Sequence, residues 1–133
     1  MRWVCVCLAI AACSEKPSAV PPKPPNNELI VGTFERKPPD GTTAIRFRAD
    51  GSYRIGHDKS QIDKDPPVSS GTWKLEKDQL TLHADAGQCA EAAGTKDGTY
   101  SVVISKIGVH FKKQQDSCER RSAYDDQTWW RLK

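Results

Sequence analysis

The chain has 133 residues, room for one domain at most. Its 20 Lys and Arg against 17 Asp and Glu leave a formal net charge of +3, too near neutrality for a nucleic-acid-binding signature. A basic partner surface would have to come from local clustering.

The N-terminus opens with one charged residue, Arg2, followed by an unbroken apolar run from Trp3 to Ala12. Ten residues of helix reach about 15 Å, roughly half of a bilayer core. That build suits the apolar region of a signal peptide, residues 1–12. The run ends in Leu8-Ala9-Ile10-Ala11-Ala12-Cys13, and small residues before a cysteine resemble the lipobox of bacterial lipoproteins. The resemblance implies cleavage before Cys13, acylation of its thiol (palmitate) and a partner membrane held through that lipid. An ordinary secretory signal is the alternative. Ser14, where an aspartate would retain the chain, looks like the outer-membrane sorting pattern, so the expected place is the envelope, facing the periplasm. Cleavage removes only Arg2 among the charged residues, leaving 19 basic against 17 acidic, or +2.

Of five cysteines, Cys5 and Cys7 leave with the leader and Cys13 takes the lipid. Cys89 and Cys118 remain, an even pair in an exported chain, and are expected to form a disulfide. Residues 13–27 read as a tether. Five prolines between Ser14 and Asn27 remove amide donors and favour extended polyproline II. At ~3.1 Å per residue the tether reaches roughly 40 Å.

From Glu28 the chain alternates, short β-branched or aromatic runs being separated by Gly, Asp and Pro. The spacing predicts strands near 29–36, 42–49, 52–57, 70–76, 79–84, 98–104, 109–113 and 128–132. Short helical turns are expected around 89–94 and 118–123. Side-chain parity tests this reading, because a one-residue slip reverses every side chain. Pairing Phe47 with Tyr53 needs the odd loop Ala49-Asp50-Gly51, and Gly51 supplies the left-handed position. Trp73 and Leu75 meet Leu82 and Leu80 across an even loop. Tyr100, Val102 and Ile104 meet Val109 and Phe111 across Ser105 to Gly108. The pattern predicts an all-β domain over residues 28–133, an antiparallel up-and-down barrel of about eight strands. A two-sheet sandwich is the alternative.

The domain resembles the small lipocalin-like (calycin) domains of bacterial lipoproteins. The carriers are Gly32-Thr33-Phe34, Phe47 with Ala49-Asp50-Gly51-Ser52-Tyr53, and Gly71-Thr72-Trp73-Lys74-Leu75. Asp116-Ser117-Cys118-Glu119-Arg120-Arg121 and Trp129-Trp130 add to them. Lipocalins carry tryptophan where Phe34 stands here, and their chains are longer. The resemblance implies a barrel with one open mouth and a small apolar ligand. The inward set of Phe47, Tyr53, Trp73, Tyr100, Phe111 and Trp130 argues instead for a filled interior, since eight strands enclose little more than their own side chains.

His57, His83 and His110 lack close ligand spacing, and parity turns His83 and His110 outward, so no metal and no cofactor is expected. Nothing marks a nucleophile or an acid–base pair: there is no Gly-x-Ser-x-Gly elbow, and Asp63, Asp65, Asp125 and Asp126 sit in polar loops. An enzyme is not expected. One oddity is basic. Arg46 and Arg54 fall directly opposite each other on the outer face, with Arg48 next along, and opposed like charges destabilise a sheet. Either Asp50, Asp58 or Asp63 neutralises them, or they form a protein-binding patch for an acidic partner. The sequence thus leads to a lipid-anchored, monomeric, non-enzymatic envelope protein. Its domain would bind a small apolar or amphiphilic ligand; the alternative is a protein-binding inhibitor or immunity lipoprotein.

Overall fold

The computed structural model describes residues 25–37 and 41–133. The expected leader, Cys13 and most of the tether lie outside the described residues. A short helix, α1 (Asn26–Leu29), leads into eight strands: β1 (Gly32–Arg36), β2 (Thr43–Phe47), β3 (Ser52–Gly56), β4 (Ser69–Glu76), β5 (Gln79–Gly87), β6 (Asp97–Ile104), β7 (Gly108–Asp116) and β8 (Gln127–Arg131). A second short helix, α2 (Glu119–Ser122), precedes β8. Each strand pairs antiparallel with the next, and β8 returns to β1, closing the barrel. Closure removes the unpaired edges that an open meander would expose.

The registers follow from the parity argument. Phe47 faces Tyr53, and the Arg48 amide donates to the Ser52 carbonyl across the loop Ala49-Asp50-Gly51, with Gly51 at φ +90° as that loop requires. Trp73 faces Leu82 and Leu75 faces Leu80. Ile104 faces Val109, Val102 faces Phe111 and Tyr100 faces Lys113 in one register, and a bulge beyond Tyr100 shifts Thr99 opposite Gln115. A second bulge, between Ser70 and Gly71, interrupts β4 against β5. There the strands come so close that a Cβ on Gly71 would stand 1.8 Å from the His83 carbonyl oxygen, so only glycine fits.

Inside, Phe34, Phe47, Tyr53, Tyr100, Phe111 and Trp129 are each at most 2% exposed, interleaved with aliphatic residues from β2 to β7. The rings pack on one another: Trp129 stacks on Phe111 at 5.8 Å and meets Tyr124 edge-on at 5.0 Å.

Three expectations are corrected. Trp130 points outward and Trp129 takes the interior place, because Trp129 pairs with Val109, an inward position already set by the β6–β7 hairpin. Residues 29–31 are not strand: the chain turns through α1, and the Ile30 amide bonds back to the Asn26 carbonyl. Residues 89–94 form turns and bends around the Cys89 crosslink, where no helix develops. The turn near 118–123 is α2.

The barrel has two different ends. At the α1 end, Leu29 and Ile30 are buried and close the floor, and the side-chain amide of Asn26 donates to the Lys77 carbonyl in the β4–β5 turn. The long connections gather at the other, the disulfide end.

Candidate functional site

Arg46 and Arg54 are cross-strand partners on the outer face of β2 and β3, as the register requires. Two opposed guanidinium groups repel, and the chain answers with carboxylates from one segment. Residues 57–68, which link β3 to β4, fold back over this wall. Arg46 donates to Asp63 and to the Thr33 hydroxyl, while Arg54 donates to Asp65 and to the carbonyls of Ile62 (2.6 Å) and Lys64 (2.9 Å). The Arg46 hydrogen bond holds the Asp63 carboxyl below the usual carboxylate range, and Arg48 and Arg54 add to the effect by charge. Asp50 and Asp58 cap local turns instead, bonding Ser52 and Ser60.

Ile62 anchors the segment. Its side chain is 1% exposed, and its backbone lies against Gly56 so tightly that a Cβ there would stand 2.9 Å from the Ile62 Cα. The sequence placed all three arginines on one wall. Only the tertiary fold shows that Arg46 and Arg54 clamp a connecting segment, their side chains 28% and 19% exposed, while Arg48 reaches Asp63 at 3.7 Å and is 47% exposed. The 12-residue connection 57–68 is far longer than the roughly 2–5 residues of an ordinary hairpin loop. Gly56, His57, Gln61, Lys64, Asp65, Val68 and Gln88 line an open hollow of about 510 Å³ along its edge.

The disulfide end carries a second cluster that sequence reasoning missed. Cys89 and Cys118 are joined, tying the β5–β6 loop to the β7–β8 loop. Beside this link Arg121 and Asp116 form a buried ion pair, with Nε to Oδ2 at 2.6 Å and Nη2 to Oδ1 at 3.0 Å. Arg121 also donates to the carbonyls of Thr95 and Lys96, so it repeats ionically the tie that the disulfide makes covalently. The Tyr100 hydroxyl donates to Asp116, and the Cys118 amide donates to the other carboxylate oxygen. Asp116 is thereby fully employed, which is what a buried charge needs. Its signal in the sequence was the acid five residues before Arg121.

Burial pushes all three tyrosines upward. Tyr124 rises to about 12. Tyr53 rises by burial, and Tyr100 rises by burial and by its bond to Asp116. Burial opposes the charge of Arg121, but Asp116 outweighs it and the guanidinium is held more firmly protonated. The hydroxyl of Tyr53 and the indole Nε1 of Trp129 are buried without a hydrogen-bond partner.

The histidines stay apart. His83 sits between Asp85 and Asp97 on the outer wall, at 3.4 and 2.7 Å. His110 bonds Thr128 and Asp126. The two cysteines are bonded to each other and not to a histidine. Among the described residues no group of three or more His, Cys, Asp or Glu converges on a metal position. No helix among them is long and apolar enough to cross a membrane. Comparison of the chain with protein-family models, with curated proteins and with solved structures returned no match.

Proposed function

We propose that the chain is a lipid-anchored envelope lipoprotein with a lipocalin-like barrel that binds a protein partner without catalysis, in the manner of an inhibitor or immunity protein. The anchor rests on the apolar run Trp3 to Ala12 before Cys13, and the exported setting agrees with the Cys89–Cys118 bond. The observation that carries the binding mode is the filled interior. A lipocalin-like barrel would hold a small apolar ligand in its interior, and that place is taken by the rings of Phe34, Phe47, Tyr53, Tyr100, Phe111 and Trp129.

Recognition then falls to the exterior, where the 57–68 segment is long, polar and held in one shape by Arg46 and Arg54. A pre-ordered segment loses little freedom on binding, and this favours affinity. Lys59 and Lys64 are its exposed cations, and with Arg48 on the β2–β3 turn they suit an acidic partner surface.

A photo-crosslinking residue at Arg48 or Lys64 of the full chain, expressed in its own envelope, tests this. Adducts at these two positions and none at Thr81 on β5, two strands beyond β3, support the reading. Equal labelling of all three, or none, removes it. The small-ligand reading would regain ground if the purified protein carried a bound molecule in native mass spectrometry.

A further inference from the structure

Three large apolar side chains of the described residues stand in solvent: Val103 at 71%, Ile107 at 67% and Trp130 at 54% exposed. They share one region. Val103 faces His110, and His110 faces Thr128, across β6, β7 and β8; one row further along, Trp130 faces Gly108. Strand spacings then put Val103 and Trp130 about 12 Å apart, with a side-chain-free glycine in the row of Trp130. Ile107 joins them at the β6–β7 turn, its carbonyl accepting the Arg131 amide.

The patch lies towards the α1 end, the end at which the N-terminal segment meets the barrel: Asn26 is tied to the β4–β5 turn there. Its margin is basic, with exposed Lys106, Lys112 and Lys133. The carboxylates on the same wall are engaged, Glu35 with Lys37 and Asp126 with His110.

We infer that this wall rests on the surface of an anionic bilayer, the one to which Cys13 is anchored; the inference builds on the anchor reading above. Eleven residues separate Cys13 from Pro25, so even a fully extended tether keeps the α1 end within roughly 40 Å of the lipid. At that range contact with the surface is an intramolecular event, and a patch too small to bind free membranes is still occupied. A tryptophan at the headgroup level, aliphatic neighbours beneath it and lysines around it are the chemistry that such a surface accepts. A second copy suits the patch less well. Three side chains fall far short of the roughly 800 Å² per partner of a stable interface, and a symmetric pair would set the lysines against one another.

The test uses the full chain, purified from the membrane and reconstituted in phosphatidylethanolamine–phosphatidylglycerol vesicles with and without brominated lipid. Wild-type protein should float with the vesicles, and brominated lipid should remove Trp130's share of the emission, roughly a third of that of the three tryptophans left after cleavage. Trp130→Phe should abolish most of this quenching, and Lys106→Glu with Ile107→Glu should reduce it severalfold while flotation persists. Flotation with no quenching, or quenching that Trp130→Phe leaves unchanged, overturns the docking and leaves the anchor standing. Failure to float overturns both. A dimer crosslinked through position 130, without quenching, assigns the patch to a second copy.

Discussion

The guanidinium of Arg131 lies 4.6 Å from the ring centroid of Phe34, joining the last strand to the first across the barrel seam. From that position it donates to the carbonyls of Leu29, Val31, Ser105 and Lys106. It therefore satisfies the backbone where α1 meets β1 and fastens the floor to the β6–β7 turn. Arg131→Ala should lower stability by about 2–3 kcal/mol, within the range for hydrogen bonds to a charged group. Arg131→Lys should recover less than half, because an ammonium cannot reproduce the planar fork. Denaturant melts of the two variants check this; equal loss in both would show that the fork geometry is irrelevant.

The buried pair at the other end should show the asymmetry of buried charges. Asp116→Asn leaves Arg121 charged among groups that cannot neutralise it, at a cost of about 3–5 kcal/mol. Replacing both, Asp116→Leu with Arg121→Met, should cost clearly less than either single change. A double-mutant cycle by chemical denaturation measures it, and simple additivity would contradict the coupling.

All three tyrosines of the chain have folded-state pKa values above their ordinary one near 10. The unfolded chain releases these protons first, so above pH 10 it binds fewer protons than the native state. Stability is accordingly complete below about pH 10 and falls as pH rises through the native values, by up to ~1.4 kcal/mol per pH unit for each tyrosine. In native protein the ultraviolet band of phenolate should develop at higher pH than that of free tyrosine, and rise sharply on unfolding. A smooth titration near pH 10 in folded protein would show the rings to be open to water.

Cys89 and Cys118 close a separation of 29 residues. On the chain-entropy model their bond stabilises the domain by ~3–4 kcal/mol, a large part of what a small domain has. The double change to serine should fold, with Arg121 still tying the same two loops, but with a midpoint lowered accordingly. Amide exchange should speed up most in residues 88–96 and 117–126. Uniform acceleration across the barrel would mean that the link is not local in effect.

Much of the barrel was legible in the sequence because β-structure has a period of two. Once Phe47 and Tyr53 are required to share a face, Ala49-Asp50-Gly51 fixes the turn, Arg46 must oppose Arg54, and the next hairpins follow by the same count. Parity also turned His83 and His110 outward. The same logic fails where two equivalent residues adjoin. Trp129 and Trp130 differ by one step, and either could be the inward one until β7 supplies a partner; pairing with Val109 chose Trp129.

Nor could the sequence say what the outward arginines do. A local pattern reports that charges are opposed, but their neutralisation depends on where a 12-residue connection returns. Likewise the Asp116–Arg121 pair draws in Tyr100 and the carbonyls of Thr95 and Lys96 from distant strands and loops. The sequence alone determined strand order, parity and turn chemistry, which are set by neighbours along the chain. Tertiary structure decided which polar groups meet, because long-range contacts depend on how the closed barrel brings separate loops to one end.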